Sequence, residues 1–225
     1  MFTSFDRTVL ANSALLLNGL SITAYTCAIA FLLAVFLGLA TCMLRLYVAA
    51  LRPLAIAYIE FCRATPIFVQ LLWVNYVWPT LLGFPRTAEG AGIIALALQS
   101  SGYLAETFRS GIQGFPRGQY EAALALGISR PTIALRIVAP QVLLMMAPAV
   151  VNQMAVVVKS STLVSVIAIP DLMYEALRIV DQWLEPTAIL TTAALLYFLV
   201  IFTISTCAER IATRFRTRFG LPVTG

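Results

Sequence analysis

The sequence predicts an all-α integral membrane protein with five transmembrane helices, and three observations carry that prediction. Of 225 residues, 60% are hydrophobic and only 11% are charged, with a mean hydropathy of +0.90, too apolar for a soluble globule with a single core. Charge-free runs long enough to cross a hydrocarbon layer of about 30 Å recur along the chain. The basic residues are dispersed between apolar runs, which fits positive-inside topology better than a nucleic-acid-binding face, despite a net charge of +5.

Residues 22–44 carry no charge and form the first span, which ends at Arg45 and Arg52, with Pro53 marking a turn. Residues 54–82 form the second. Glu60, Arg63, Thr65 and Pro66 interrupt its first half, so a kinked helix is expected, with Trp73, Trp78 and Phe84 in an interfacial aromatic belt and Gly83, Pro85 and Arg86 in the exit loop. The third span, residues 90–113, is charge-free only to Ala105 and includes Gln99, Ser100 and Ser101. Such a helix is expected to face other helices, where small and hydroxyl side chains pack closely. The fourth span, residues 133–158, runs through Pro140 and Pro148, and the fifth, residues 187–207, is again free of charge. Between these two, residues 171–185 read as a surface-lying amphipathic helix outside the cytoplasm, with Asp171, Glu175, Arg178, Asp181 or Gln182, and Glu185 on its polar face.

Five spans put the termini on opposite sides. Arg45, Arg52, Arg109, Arg117, Arg130 and Arg136 share a side with Arg210, Arg214, Arg216 and Arg218. The other side holds Arg7, Arg86 and Arg178 against six acids, Asp6 and Glu185 among them. Positive-inside bias therefore places the N-terminus outside and the C-terminus in the cytoplasm.

Several chemistries are excluded. There is no histidine for a zinc ligand, general base or proton relay, and no CxxC pair. Cys27, Cys42, Cys62 and Cys207 lie in hydrophobic stretches as small apolar residues. No metal site or resident cofactor is expected, and no GxxxxGK[ST] loop supplies ATP chemistry, so the chain is not expected to be an enzyme. The first twenty residues carry Asp6, Arg7 and Asn12 without a basic region followed by a short apolar core, so a cleaved signal peptide is not expected.

The stretch 114–132, between the third and fourth spans, is the candidate site of partner contact. Gly114, Pro116 and Gly118 break the preceding helix, and residues 119–126 predict a short helix with Glu121 in its first turn, where a carboxylate favours the positive helix end. Gly127 stops it, Ser129 is placed to cap the next helix, and Pro131 is tolerated in that helix's first turn. Ala122 and Ala123 leave a low-relief surface that a partner groove can approach. On its residues alone, this segment reads either as an ordinary cytoplasmic loop or as a docking helix. Inside the fourth span, Gln141, Pro148, Asn152 and Lys159 fall on one helical face, and Ser160, Ser161 and Thr162 follow. Polar groups at membrane depth line a path or bind helices together, and both readings stand. Glu60 with Arg63 and Glu106 with Arg109 are spaced i, i+3 for ion pairs, with substrate contact the other reading for the first pair.

The motif Glu121-Ala122-Ala123, then Gly127, Ile137 and Pro140, resembles the EAA loop of permease subunits of bacterial ABC importers, EAA-x3-G-x9-I-x-L-P, with Ala139 in place of the usual Leu. Residues 103–106 (YLAE), 109–112 (RSGI), 116–119 (PRGQ) and 159–167 (KSSTLVSVI) are similar to the polar amino-acid permease family. So are Asn18-Gly19-Leu20, Arg63-Ala64-Thr65-Pro66 and Val69-Gln70-Leu71, and the resemblance covers nearly the whole chain. It implies a type I ABC importer permease in the bacterial cytoplasmic (inner) membrane, with a cytoplasmic EAA coupling helix. The implied partners are an ABC ATPase subunit dimer holding ATP and Mg, a second permease subunit, identical or homologous, and an extracytoplasmic solute-binding protein. Lipid surrounds it, and no nucleic acid is involved.

The coupling residues implied are Glu121, Ala122, Ala123, Gly127 and Pro140; the substrate-path candidates are Thr65, Gln70, Asn152, Gln153, Lys159, Ser160, Ser161 and Thr162. Ser160 stands where the family has Asp, and Gln153 where some permeases for cationic amino acids carry Glu. A neutral or acidic amino acid, or an opine-like zwitterion, is therefore expected over a cationic one. Two alternatives are a non-transporting anchor that recruits a cytoplasmic regulatory partner, and a permease for another small zwitterionic solute.

Overall fold

Helix α1 (Ser13–Tyr47) is 35 residues long. It starts nine residues before the predicted span, and hydroxyls in that extension bond back to the helix: Ser21 Oγ donates to the Asn18 carbonyl at 2.7 Å, and Thr23 Oγ1, just inside the span, to the Gly19 carbonyl at 3.1 Å. A stripe of Gly19, Thr23, Cys27, Ala30, Ala34, Gly38 and Cys42, spaced by three and four, is buried, while Leu32 and Phe36 point outward at 69% exposure. Small residues inside and large ones outside are the pattern of a lipid-bathed bundle, in which close backbone approach replaces hydrophobic drive.

The structure is a computed structural model that describes residues 8–218, with the backbone alone for 211, 212 and 214–218. Asp6 and Arg7, and the side chains of Arg214, Arg216 and Arg218, lie outside the described residues. All elements among these residues are helical. After a 3-10 turn, α2 (Arg52–Ala64) and α3 (Ile67–Leu82) meet at 106°, a much sharper bend than the kink expected for residues 54–82. Pro66 cannot donate to the α2 ladder and forces Thr65 out of the helical region, to φ −81° and ψ 128°. Phe61, Trp73, Trp78 and Phe84 form an edge-to-face chain at 5.6–5.8 Å that ties both helices to the exit loop.

Helix α4 (Ala88–Gln113) is capped by Thr87, whose hydroxyl accepts from the Gly90 N–H at 3.1 Å. It packs against α1, α2 and α3 and buries Ala95, Ala97, Ser100, Ser101, Gly102 and Leu104. The backbones nearly touch, since a Cβ on Gly38 would stand 2.9 Å from the Ser101 carbonyl oxygen. Then come α5 (Arg117–Ala125), α6 (Arg130–Ile167, with a π turn at Ile133–Val138 and a 3-10 end at Ser161–Ile167), α7 (Leu172–Trp183) and α8 (Pro186–Arg218).

Three stretches, Ser13–Tyr47, Arg130–Ile167 and Pro186–Arg210, are long and apolar enough to cross a membrane, and the bent α2–α3 pair makes four if it is one broken span. Helix α4 has the length but not the hydropathy, and it buries small and hydroxyl residues, Ala95, Ala97, Ser100 and Ser101 among them, inside the bundle.

Helix α7 differs from its expected pattern. Leu172, Ala176 and Ile179 pack on Leu16, Ile189 and Ala193, but Asp171 and Glu175, placed by the sequence on the exposed polar face, are 0% and 6% exposed. Asp171 is the cap, accepting from the Tyr174 N–H at 2.9 Å, and Glu175 lies 3.4 Å from Arg178 Nε. Capping lets the Asp171 carboxylate enter the bundle, while the buried Glu175 Oε2 has the long ion pair to Arg178 but no hydrogen bond among the described residues; Arg178, Asp181 and Gln182 remain outside.

Candidate coupling helix and substrate path

Helix α5 begins at Arg117 rather than near 119, so Glu121 is its fifth residue and lies beyond the first turn. Glu121 therefore does not sit at the positive end of the helix, where the sequence puts it, but on its exposed surface. Glu121 and Ala122 are exposed, Ala123 is buried at 5%, and Leu124 and Leu126 project at 37% and 80%. Gly127 adopts φ +76°, the left-handed cap that a side chain would strain. There the Gly127 N–H donates to the Leu124 carbonyl at 2.9 Å and the Ile128 N–H to Ala123 at 3.2 Å. Ser129 precedes the next helix as expected, but its hydroxyl pairs with Thr132 Oγ1 at 2.8 Å instead of a backbone N–H. Pro140 lies inside α6, two residues after the end of its π turn. A cavity of about 940 Å³ opens beside α5, with Tyr47, Gln113, Tyr120, Glu121 and Arg130 among its walls.

The substrate-path candidates separate into two groups. Asn152 and Lys159 are exposed, Pro148 lies on the same side, and Ser160 and Thr162 are half-buried. The Lys159 ammonium makes no hydrogen bond or ion pair among the described residues. Gln153 and Ser161 instead face inward at 8% and 0% exposure, and the Ser161 hydroxyl donates to the Val158 carbonyl at 2.9 Å. At the α2–α3 bend, Thr65 Oγ1 donates to the Phe61 carbonyl at 2.8 Å. Gln70, 1% exposed, donates from Nε2 to the Cys62 carbonyl at 3.3 Å and so spans the α2–α3 bend. The Gln70 Oε1 and Gln153 Nε2 atoms are buried without partners.

Two contacts escaped sequence reasoning because they join distant residues. Asn152 shares a cavity of about 180 Å³ with Ser205 and Glu209 of α8. Glu106 pairs with Arg109 at 2.7 Å, as its spacing predicts, and also with Arg45 on α1. Glu60 and Arg63 do pair, at 3.5 Å and largely exposed, and the Arg63 guanidinium lies over the Tyr103 ring at 5.5 Å. The Asp171 carboxyl is pushed up to about 6 by burial, against lowering hydrogen bonds from the Tyr174 and Met173 N–H groups.

An all-helical chain of membrane-length apolar helices with small-residue seams, interrupted by one exposed helix, has the architecture of a multi-pass membrane permease. Residues 30–220 match the family described as "Binding-protein-dependent transport system inner membrane component", and the chain belongs to that family, the inner-membrane permease subunits of ABC importers. It is 30% identical over 208 residues to the "Arginine transport system permease protein ArtQ" of Bacillus subtilis, covering 90% of this chain and 93% of that one. It is 33% identical over 205 residues to the "Probable glutamine ABC transporter permease protein GlnP" of the same organism, covering 89% and 94%. Among solved structures, one described as an amino acid ABC transporter with histidines superposes with a TM-score of 0.84 at 31% identity, over 92% of this chain and 96% of that one.

Proposed function

We propose that this chain is a translocating subunit of an ATP-driven importer for polar amino acids, working by alternating access. Its five transmembrane segments are α1, the bent α2–α3 pair, α4, α6 and α8, with the N-terminus outside and the C-terminus and α5 in the cytoplasm. The observation that carries this reading is the coincidence of motif and geometry at α5. Glu121, Ala122 and Gly127 are presented on an exposed nine-residue helix with a left-handed glycine end, leading straight into α6. A cleft on an ATPase subunit receives that helix, and the movement of the ATPase dimer passes through the start of α6, Pro140 included, into its membrane-spanning part. A second permease subunit completes the path, and an extracytoplasmic solute-binding protein delivers the solute. ATP and Mg belong to the ATPase.

The path runs along the open side of α6, where Asn152, Lys159, Ser160 and Thr162 present polar groups, with Gln153 and Ser161 turned inward on the same helix and Thr65 and Gln70 at the α2–α3 bend. An unpaired Lys159 with no carboxylate at positions 153 or 160 favours a solute carrying a carboxylate, hence a neutral or acidic amino acid or an opine-like zwitterion. A second reading, a cationic amino acid, draws on Glu209 beside Asn152; one protein similar to this chain is named for arginine, and a similar amino acid transporter is described with histidines.

The assembled complex in proteoliposomes, with this chain as its permease, separates these readings by uptake of radiolabelled glutamine, glutamate and arginine. Strong arginine uptake sinks the carboxylate reading. Glu121→Lys with Gly127→Asp should abolish ATPase association and uptake while membrane insertion stays normal; persistent uptake would sink the coupling assignment.

A further inference from the structure

At the C-terminal ends of α1 and α4 a small polar cavity of about 160 Å³ is lined by Arg45, Leu46, Arg52, Arg109 and Gln113. The carboxylate engaged there is Glu106, whose Oε1 meets Arg45 and whose Oε2 accepts from Arg109 Nε at 2.8 Å. Three guanidinium groups against one carboxylate leave two positive charges in surplus. Arg109 is held further by Gln113, and Arg45 and Arg109 are only 18% and 28% exposed, so two forks are fixed before any ligand arrives. Arg52 is exposed, and its side chain forms no hydrogen bond or ion pair among the described residues.

We propose that this arginine-lined cavity binds a phosphate group, carried by an anionic phospholipid headgroup or free in solution. Guanidinium forks match phosphate oxygens two at a time, and their weak hydration lowers the cost of doing so. Structural ion pairing accounts for Arg45 and Arg109 but not for Arg52 or for the cavity. The surroundings suit a lipid: Leu44, Tyr47, Val48, Leu51 and Leu54, next in sequence to the arginines, are 38–72% exposed, an apolar rim along which acyl chains can lie. A basic pocket between membrane helices is where anionic headgroups bind. Which leaflet supplies the lipid rests on the proposed orientation; the binding chemistry does not.

The test uses the assembled, delipidated complex in neutral detergent. Native mass spectrometry titrates phosphatidylglycerol and phosphatidylcholine, and equilibrium dialysis follows radiolabelled inorganic phosphate. Wild type should bind phosphatidylglycerol and not phosphatidylcholine. Arg52→Ala, which removes an unpaired exposed group, should weaken phosphatidylglycerol about fivefold to tenfold, and Arg52→Lys should retain most of the affinity. Gln113→Glu, which reduces the surplus charge from inside the cavity, should weaken it comparably. Phosphate binding that disappears in Arg52→Ala, without a lipid effect, assigns the site to free phosphate. Equal affinities of wild type and both Arg52→Ala and Gln113→Glu for lipid and for phosphate overturn the proposal. The readout is binding, so a complex that binds lipid but transports no amino acid leaves this inference standing and counts against the proposed function alone.

Discussion

Asp171 gives the most quantitative prediction. It is fully buried where α1, α7 and α8 meet, and desolvation raises its carboxyl from 3.8 to about 6. The groups facing it are Gly19, Thr23 and Cys27 from α1, Glu175 on its own helix, and Tyr197 from α8, whose hydroxyl lies 3.4 Å from Oδ2. No arginine or lysine pairs with it among the described residues. Because the folded state holds this proton more tightly than the unfolded chain, the stability it contributes is complete below about pH 4 and is lost as pH rises through about 6. A displacement of about 2 pH units corresponds to roughly 3 kcal/mol at neutral pH. Asp171→Asn keeps the acceptor for the Tyr174 N–H and removes the buried charge. Its thermal unfolding in the purified complex should therefore be nearly flat between pH 5 and 8, and at pH 8 its melting temperature should match or exceed wild type. Asp171→Ala loses the cap as well, at about 1 kcal/mol. An Asn variant that is less stable at pH 8 and keeps the wild-type pH slope would refute the reasoning.

Two further outcomes follow from packing and charge. Gly38→Ala should destabilise the α1–α4 seam by about 1–3 kcal/mol, because its Cβ would meet the Ser101 carbonyl at 2.9 Å and Leu104 Cβ at 3.0 Å. Gly118→Ala, with open space around it, is the control and should leave the melting temperature unchanged. Glu106→Gln should cost about 2 kcal/mol by leaving Arg45 and Arg109 without their carboxylate. It should also tighten phosphate binding in dialysis, since the surplus charge in the cavity increases.

Much of the local geometry of the candidate site was legible because its signals are local. A motif of adjacent residues, Glu121-Ala122-Ala123, followed by Gly127 and Pro140, predicts a short helix with a glycine end, and α5 has that form. Even so, a shift of two residues at its start moved Glu121 out of the first turn. The face of α6 was half legible: the spacing of Asn152 and Lys159 put them on one exposed side. Adjacency in sequence, however, grouped them with Gln153 and Ser161, which the helix turns inward. Glu209 beside Asn152 and Arg45 on Glu106 left no trace, because residues 57 and 61 apart share no periodic signal.

The sequence by itself determined that this chain is helical, lives in a membrane and carries a short exposed helix between two long ones. Those properties follow from apolar runs, breakers and a contiguous motif, all readable within a few turns. Tertiary structure decided which helix lies at the centre, how far the chain bends at Thr65–Pro66, and which carboxylates go inside. In lipid, a face turned to the acyl chains and a face turned to another helix are both apolar, so hydropathy does not separate them. Only the packing of small residues, such as Gly38 against the Ser101 carbonyl, fixes the inward side, and with it the buried positions of Asp171 and Glu175.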